Sequence, residues 1–272
     1  MNNKRMHIAS RQVRGGDKVR VEYHLEALSK AKQKHFELLD SDILFDAHNV
    51  IAINKPPGLP SQATRDQDVM HAEVCLSHWL KKNNRPSEKL ILLHRLDKET
   101  SGVLLFATLG NTATWISEQF RERELGKNYL ALCYGLPAND TFIEECYLSE
   151  IDKKSGLVSV VRSGGKSSKT KFTVLKRNKS LGISFIECRP ETGRSHQIRV
   201  HLEHAGHGIL GDKRYGLNQR IHLPQETENI IAQHHMLHAQ ALKFTPAPGL
   251  PPVEVIAKAP DGFLKIQSKL FE

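Results

Sequence analysis

Leu90-Ile91-Leu92-Leu93-His94-Arg95-Leu96-Asp97-Lys98-Glu99-Thr100-Ser101-Gly102-Val103-Leu104-Leu105-Phe106-Ala107 sets two apolar runs on either side of one polar loop. Short apolar runs bounded by turn-forming residues read as buried strands. The loop between them holds Asp97 two residues from Arg95. A carboxylate between buried strands loses hydration and needs a compensating charge or hydrogen bonds. Chains carry that cost mainly where the carboxylate does chemistry. As a plain turn, the same loop would use Asp97 as its cap and Thr100 and Ser101 to bond backbone groups. Taken alone, the loop leaves both readings open.

A second segment bears on the choice. Arg189 to Leu202 crowds three arginines (Arg189, Arg194, Arg199) and two histidines (His196, His201) into a few turns. Ser195 is placed to cap a helix whose apolar residues Ile198, Leu202 and Ala205 share one face, with Gly206 ending it. Cations at the positive end of a helix dipole are disfavoured. Their crowding there points to an external anion, or to a buried carboxylate such as Asp97. A solvated basic face is the plainer alternative.

The rest of the pattern mixes hairpins with few helices. Ile43 to Phe45 and Val50 to Ile53 read as a hairpin that Asn54-Lys55-Pro56-Pro57-Gly58 stops, because the prolines exclude helix. Amphipathic helices are expected over His71 to Lys82 and Thr112 to Glu124, the latter capped by Asn111. Strands are expected at Tyr129 to Tyr134, Gly156 to Val161, Lys171 to Leu175 and Ile183 to Cys188. Ser163 to Lys169, rich in glycine and lysine, reads as a loop; it lacks the residue order and following helix of a phosphate-binding loop. The fold class is therefore α+β, with a mixed, largely antiparallel sheet and no doubly wound core. A short alternating strand over Arg14 to Val21 and a charged connector at Lys30 to Lys34 precede this body.

Composition narrows the partners. The 272-residue chain carries a formal net charge of +9 and a pI near 9.4. That excess suits a polyanion, nucleic acid before membrane, since no polybasic tail adjoins an apolar anchor. Aromatic residues are only 6%, too few for extended stacking along a single strand. The four cysteines (Cys75, Cys133, Cys146, Cys188) form no CxxC pair and read as small buried residues in a reducing compartment. No signal peptide or long apolar run appears, so a cytoplasmic protein is expected. His201, His204 and His207, or His234, His235 and His238, lack the carboxylate or thiol partners of closed metal sites, so no metal is expected.

The loop His94 to Gly102, together with Arg194, His196, Gln197, Ile198 and Arg199, resembles the RNA pseudouridine synthases of the large-subunit rRNA synthase A (RluA) family. Lys55-Pro56-Pro57-Gly58, Lys127-Asn128-Tyr129-Leu130, Gly211-Asp212-Lys213-Arg214-Tyr215-Gly216 and Leu237-His238-Ala239 extend the resemblance in family order from about residue 40 to residue 245. It implies a pseudouridine synthase fold, its sheet in two lobes around a central RNA-binding cleft. Residues 39–272 would form the catalytic domain. Residues 1–38 would be an N-terminal extension in which Arg14 to Val21 resembles only the last strand of an S4-type RNA-binding module.

The implied reaction converts uridine in rRNA (23S above all) or tRNA to pseudouridine. The N1 to C1′ bond breaks, the uracil turns while held, and C5 joins C1′, with no cofactor required. The resemblance gives Asp97 the catalytic role, either attacking C1′ or removing a ribose proton. Arg194 would be its salt-bridge partner and Tyr129 the aromatic that stacks on the uracil. Ile198 would touch base or sugar, Arg95 would fill the gap left by the flipped nucleotide, and Lys55 and His94 would join the RNA contacts. RNA is the expected partner, the membrane is not, and the protein is expected to be a monomer. A kinase is excluded because Leu96 and Asp97 stand in the opposite order to its catalytic loop and no Asp-Phe-Gly follows. A glycosidase would want two paired carboxylates, for which Glu99 on the same loop is a poor second. A non-catalytic RNA-binding module would need the basic surface but not Asp97.

Overall fold

A computed structural model describes residues 36–63, 70–85, 89–216 and 234–271. The strand expected at Arg14 to Val21 and the connector at Lys30 to Lys34 lie outside the described residues.

The hairpin forms as expected, from β1 (Ile43–Ala47) and β2 (Val50–Lys55), paired antiparallel. The two apolar runs around the polar loop become β3 (Ile91–Leu92) and β4 (Ser101–Ala107). Every residue of β4 is buried, because helices cover both faces of this part of the sheet. On one face Ile51, Ile53, Leu104 and Phe106 pack against Leu76 and Leu80 of α1 (Ala72–Lys82). On the other, Val50, Ala52, Val103 and Leu105 meet Ile116 of α2 (Gly110–Glu122). The period-2 alternation along β2 and β4 thus feeds two cores. α2 begins two residues earlier than expected: Leu109 precedes it, and the Asn111 side chain accepts from the Thr112 amide inside the first turn.

The second half of the sheet comprises β5 (Gly126–Tyr134), β6 (Thr141–Leu148), β7 (Val160–Val161), β8 (Lys166–Asn178) and β9 (Ile183–Pro190). Between β7 and β6 the chain does not form the strand expected from Gly156. Asp152 accepts the Lys154 and Ser155 amides in a tight turn, and only Val160 and Val161 reach the ladder. β8 is longer than expected and starts at Lys166, absorbing half of the anticipated loop. α3 (Gln197–His204) and α4 (Asp261–Phe271) close the core here, with Ile198, Leu202, Phe263, Ile266 and Leu270 against Ala131, Phe185 and Ile186.

β10 (Leu237–Phe244) joins the halves, and β11 (Val253–Ile256) pairs with it. The order β1-β2-β4-β10-β5-β9-β8-β6-β7 makes one sheet in which the β4–β10 pairing alone is parallel among the described strands. The fold is therefore α+β with a mixed, mostly antiparallel sheet. β10 and β3 share one edge of β4: β10 pairs at Ser101 and Gly102, β3 at Phe106 and Ala107. The polar loop leaves the sheet at that junction. Gly102 makes it possible, with φ +116° and a Cβ position that would lie 2.1 Å from the Ala239 carbonyl oxygen. Any side chain there would push β10 off β4.

Candidate active site

The polar loop and the start of α3 face each other across a groove of about 1760 Å³. Asp97, Tyr129, Arg194, Ile198 and Arg199 line it, with Arg95, Arg123, Lys127, Lys213 and Arg214 adding positive charge. An excess of positive over negative charge along a groove concentrates polyanions.

The Asp97 carboxylate retains 27% exposure. Its Oδ2 accepts a 2.7 Å bond from Nη1 of Arg199, 102 residues away in sequence. The expected partner, Arg194, is corrected by this geometry. Although Arg194 lines the same groove, its Nε donates to the Ser167 carbonyl at 3.1 Å. The reason is local. Ser195 does not cap the helix; His196 takes a left-handed conformation at φ 55° and α3 starts at Gln197. Gln197 then fastens the turn, its Oε1 accepting from Thr192 Oγ1 and the Arg194 amide, its Nε2 donating to the Lys169 carbonyl and Thr170 Oγ1. This entry angle turns Arg199, with Ile198 and Leu202, inward.

Arg199 is clamped from behind. Its Nε and Nη2 donate to the two oxygens of Asp212 at 2.6 and 2.8 Å, and its guanidinium lies 4.8 Å from the Tyr215 ring centre. The Asp212 side chain is fully enclosed and also accepts the Arg214 and Tyr215 amides. Burial would raise its pKa, but the Arg199 bonds and charge prevail and hold it at about 2. Two carboxylates therefore flank one guanidinium, so Arg199 remains charged and its planar fork fixes the direction of Asp97.

Tyr129 sits on β5 between Cys188 of β9 and Ala239 of β10 and borders the groove. Burial, then the Asp97 charge, push its phenol well above the ordinary range, so it stays neutral. Ile198 is 6% exposed, an apolar wall continuous with the core. Arg95 is exposed on the groove side, and no hydrogen bond or ion pair holds it among the described residues.

Two expected RNA contacts are corrected. Lys55 is completely buried, and its ammonium donates to the carbonyls of Pro56, Leu59 and Lys98. It cannot meet a phosphate. It ties the Pro56–Leu59 loop to the residue after Asp97. Burial lowers its pKa to about 7 against the raising pull of Glu99 and Asp97. His94 turns its Nε2 to accept the Leu105 amide and stacks at a tilt on Phe120, 5.1 Å between centres. Burial, with Lys127 nearby, drops its pKa to about 3, so it is a neutral brace rather than a cation for RNA.

The loop is also gripped from β10 and the residues just before it. His234 bonds Glu99, His235 bonds Thr100 Oγ1 at 2.8 Å, and His238 bonds Ser101 Oγ at 2.9 Å. The histidines thus hold the loop one by one. In the other set, His201 bonds Ser168 and His204 bonds Glu144. Sequence reasoning left out Arg199, Asp212 and Tyr215. A signal existed for Arg199, an arginine between Ile198 and Val200 on a core-facing helix, which demands a buried anion.

Comparison with known proteins follows the same lines. The family model described as RNA pseudouridylate synthase matches residues 49–204. The chain is 35% identical over 272 residues to ribosomal large subunit pseudouridine synthase C of Escherichia coli O157:H7, covering 95% of this chain and 81% of that protein. It is 30% identical to ribosomal large subunit pseudouridine synthase D of Xanthomonas campestris pv. campestris, covering 96% and 77%. Among solved structures, human RNA pseudouridylate synthase domain containing 4 superposes with a TM-score of 0.68 at 28% identity, covering 90% of this chain and 95% of that one.

Proposed function

Because the chain belongs to the RNA pseudouridylate synthase family, we propose that it isomerises uridine in structured RNA, using Asp97 at the ribose of a nucleotide flipped into the groove. The observation that carries this reading is the disposition of Asp97. One oxygen is held by Arg199 at 2.7 Å, while the carboxylate keeps 27% of its surface open to the groove. A carboxylate so oriented can attack C1′ or take a ribose proton. Either way the N1–C1′ bond breaks, C5 bonds C1′, the C5 proton is lost and N1 gains one, so no oxidant or cofactor is consumed. Tyr129 stacks on the uracil, Ile198 bounds it, and Arg95 occupies the vacated place in the RNA, offsetting part of the few kcal/mol of lost stacking. The surrounding arginines and lysines hold phosphates without reading sequence. The names of the relatives favour large-subunit rRNA over tRNA as the substrate, and we place the enzyme in the cytoplasm as a monomer.

Mapping pseudouridines across total RNA from cells with and without the gene tests this. At least one uridine loses its modification in the deletion strain and regains it with wild type but not with Asp97→Asn, which still binds that RNA within a few-fold. An unchanged map, or rescue by Asp97→Asn, refutes the reading.

A further inference from the structure

His196 is held in a left-handed backbone conformation at the entrance of α3, and its ring lines the groove. A non-glycine residue at positive φ is uncommon and costs energy that surrounding contacts must offset. Here the offset is visible. The Tyr215 hydroxyl accepts the Val158 amide at 2.6 Å, so its own proton is free to donate to His196 Nδ1 at 2.8 Å. That pattern assigns the imidazole tautomer, with Nδ1 the acceptor and Nε2 carrying the hydrogen. Burial keeps the ring neutral by lowering its pKa, against the raising pull of Asp97. The Tyr215 ring is itself fixed under the Arg199 guanidinium. His196 is therefore a single donor, Nε2–H, aimed by its fixed partners.

What it aims at is the oxygen of Asp97 that no hydrogen bond claims among the described residues. Oδ2 belongs to Arg199, whereas Oδ1 stands 3.8 Å from His196 Nε2. That gap is too long for a direct hydrogen bond. It allows one hydroxyl oxygen to accept from Nε2–H and donate to Oδ1 at once. On either chemical route Asp97 must lie beside C1′ and C2′ of the target ribose, so the hydroxyl within reach is the one on C2′.

We infer that His196 binds the 2′-hydroxyl of the target uridine and makes the groove select ribonucleotide over deoxyribonucleotide at that position. The inference rests on the uridine-isomerase reading above and names a specificity-determining residue for it. A 2′-hydroxyl is both donor and acceptor, the feature by which proteins tell RNA from DNA at one site.

The test uses two synthetic RNAs spanning the uridine found by mapping, one with uridine and one with 2′-deoxyuridine at that single position. Their affinities for wild type, His196→Asn and His196→Gly are compared by equilibrium competition. Asn and Gly both accept a left-handed backbone, and neither reaches the Nε2 position. Wild type prefers the ribo form, and each variant reduces that preference about fivefold, the worth of one hydrogen bond, through weaker binding of the ribo form. Deoxy affinity changes less than twofold. An undiminished preference in a variant that keeps the wild-type melting temperature overturns the inference, as does a wild type with no preference. Should both variants unfold, the wild-type ratio alone decides. Failure of wild type to isomerise the ribo form would instead count against the isomerase reading.

Discussion

Replacing Asp212 with Asn keeps the shape of the side chain and removes its charge. The carboxylate has no exposed surface, and its two oxygens divide the work. Oδ1 accepts Arg199 Nη2 at 2.8 Å and the amides of Arg214 and Tyr215 at 3.0 and 3.1 Å, while Oδ2 accepts Arg199 Nε at 2.6 Å. Asn can retain its carbonyl oxygen on the three-donor side, which sets an N–H of its amide against Arg199 Nε. One charge-assisted bond is lost, two donors face each other, and a buried guanidinium loses half of its counter-charge. Breaking a buried ion pair costs about 3–5 kcal/mol. Arg199 still holds Asp97, so the lower end, about 3 kcal/mol, is expected here. Urea denaturation reads it as a lower midpoint at unchanged slope. Turnover should fall by about a hundredfold as well, because a freed Arg199 no longer aims Asp97 and a misplacement near 1 Å costs on that order. Arg194→Ala, which removes one bond to a backbone carbonyl from a half-buried side chain, should cost under about 1 kcal/mol. If Asp212→Asn costs less than Arg194→Ala, the clamp is not what holds the site.

Lys55→Met should destabilise the protein by about 2 kcal/mol, because three carbonyls lose their donor. It should leave the salt dependence of RNA binding unchanged, whereas Arg95→Ala should lower that slope by about one. A reduced slope in Lys55→Met would mean that its ammonium reaches phosphate after all. Stability should also drop as pH falls. Asp212 has a folded pKa of about 2, depressed from an ordinary 3.9. The contribution is thus present above pH 4 and lost between about 4 and 2. It amounts to about 3 kcal/mol, which an acid titration of unfolding free energy would detect and which Asp212→Asn should abolish.

Much of this site could be read in the chain. The loop around Asp97 stands out because charged residues interrupt two apolar runs, and β1, β2 and both early helices follow from plain periodicity. Arg199 was not legible because its identity as partner depends on where α3 begins. A serine three residues before the first apolar helix position looks like a cap, yet Gln197 fastens the turn and His196 takes up the bend. The helix starts one residue later than a Ser195 cap would set it, and Arg199 rather than Arg194 points inward to Asp97. Lys55 looked like a phosphate ligand because its charge is visible in sequence and its burial is not. β10 escaped notice because Leu237-His238-Ala239-Gln240-Ala241 lacks β-branched residues, and its place is set by partners more than a hundred residues earlier. The helix at the C-terminal end and strand β6 were likewise not anticipated.

The position of β10 bears on how the molecule is made. A growing chain completes β4 and β5 long before residues 237–244 leave the ribosome, yet those two strands meet only through β10. Until then each presents an open ladder of backbone donors and acceptors, of the kind that invites pairing with another chain. Closure of the sheet and arrival of the three histidines that grip the Asp97 loop are one event. Nascent chains therefore gain their active geometry only once residues 237–244 have been synthesised, and fragments ending before β10 should aggregate rather than act.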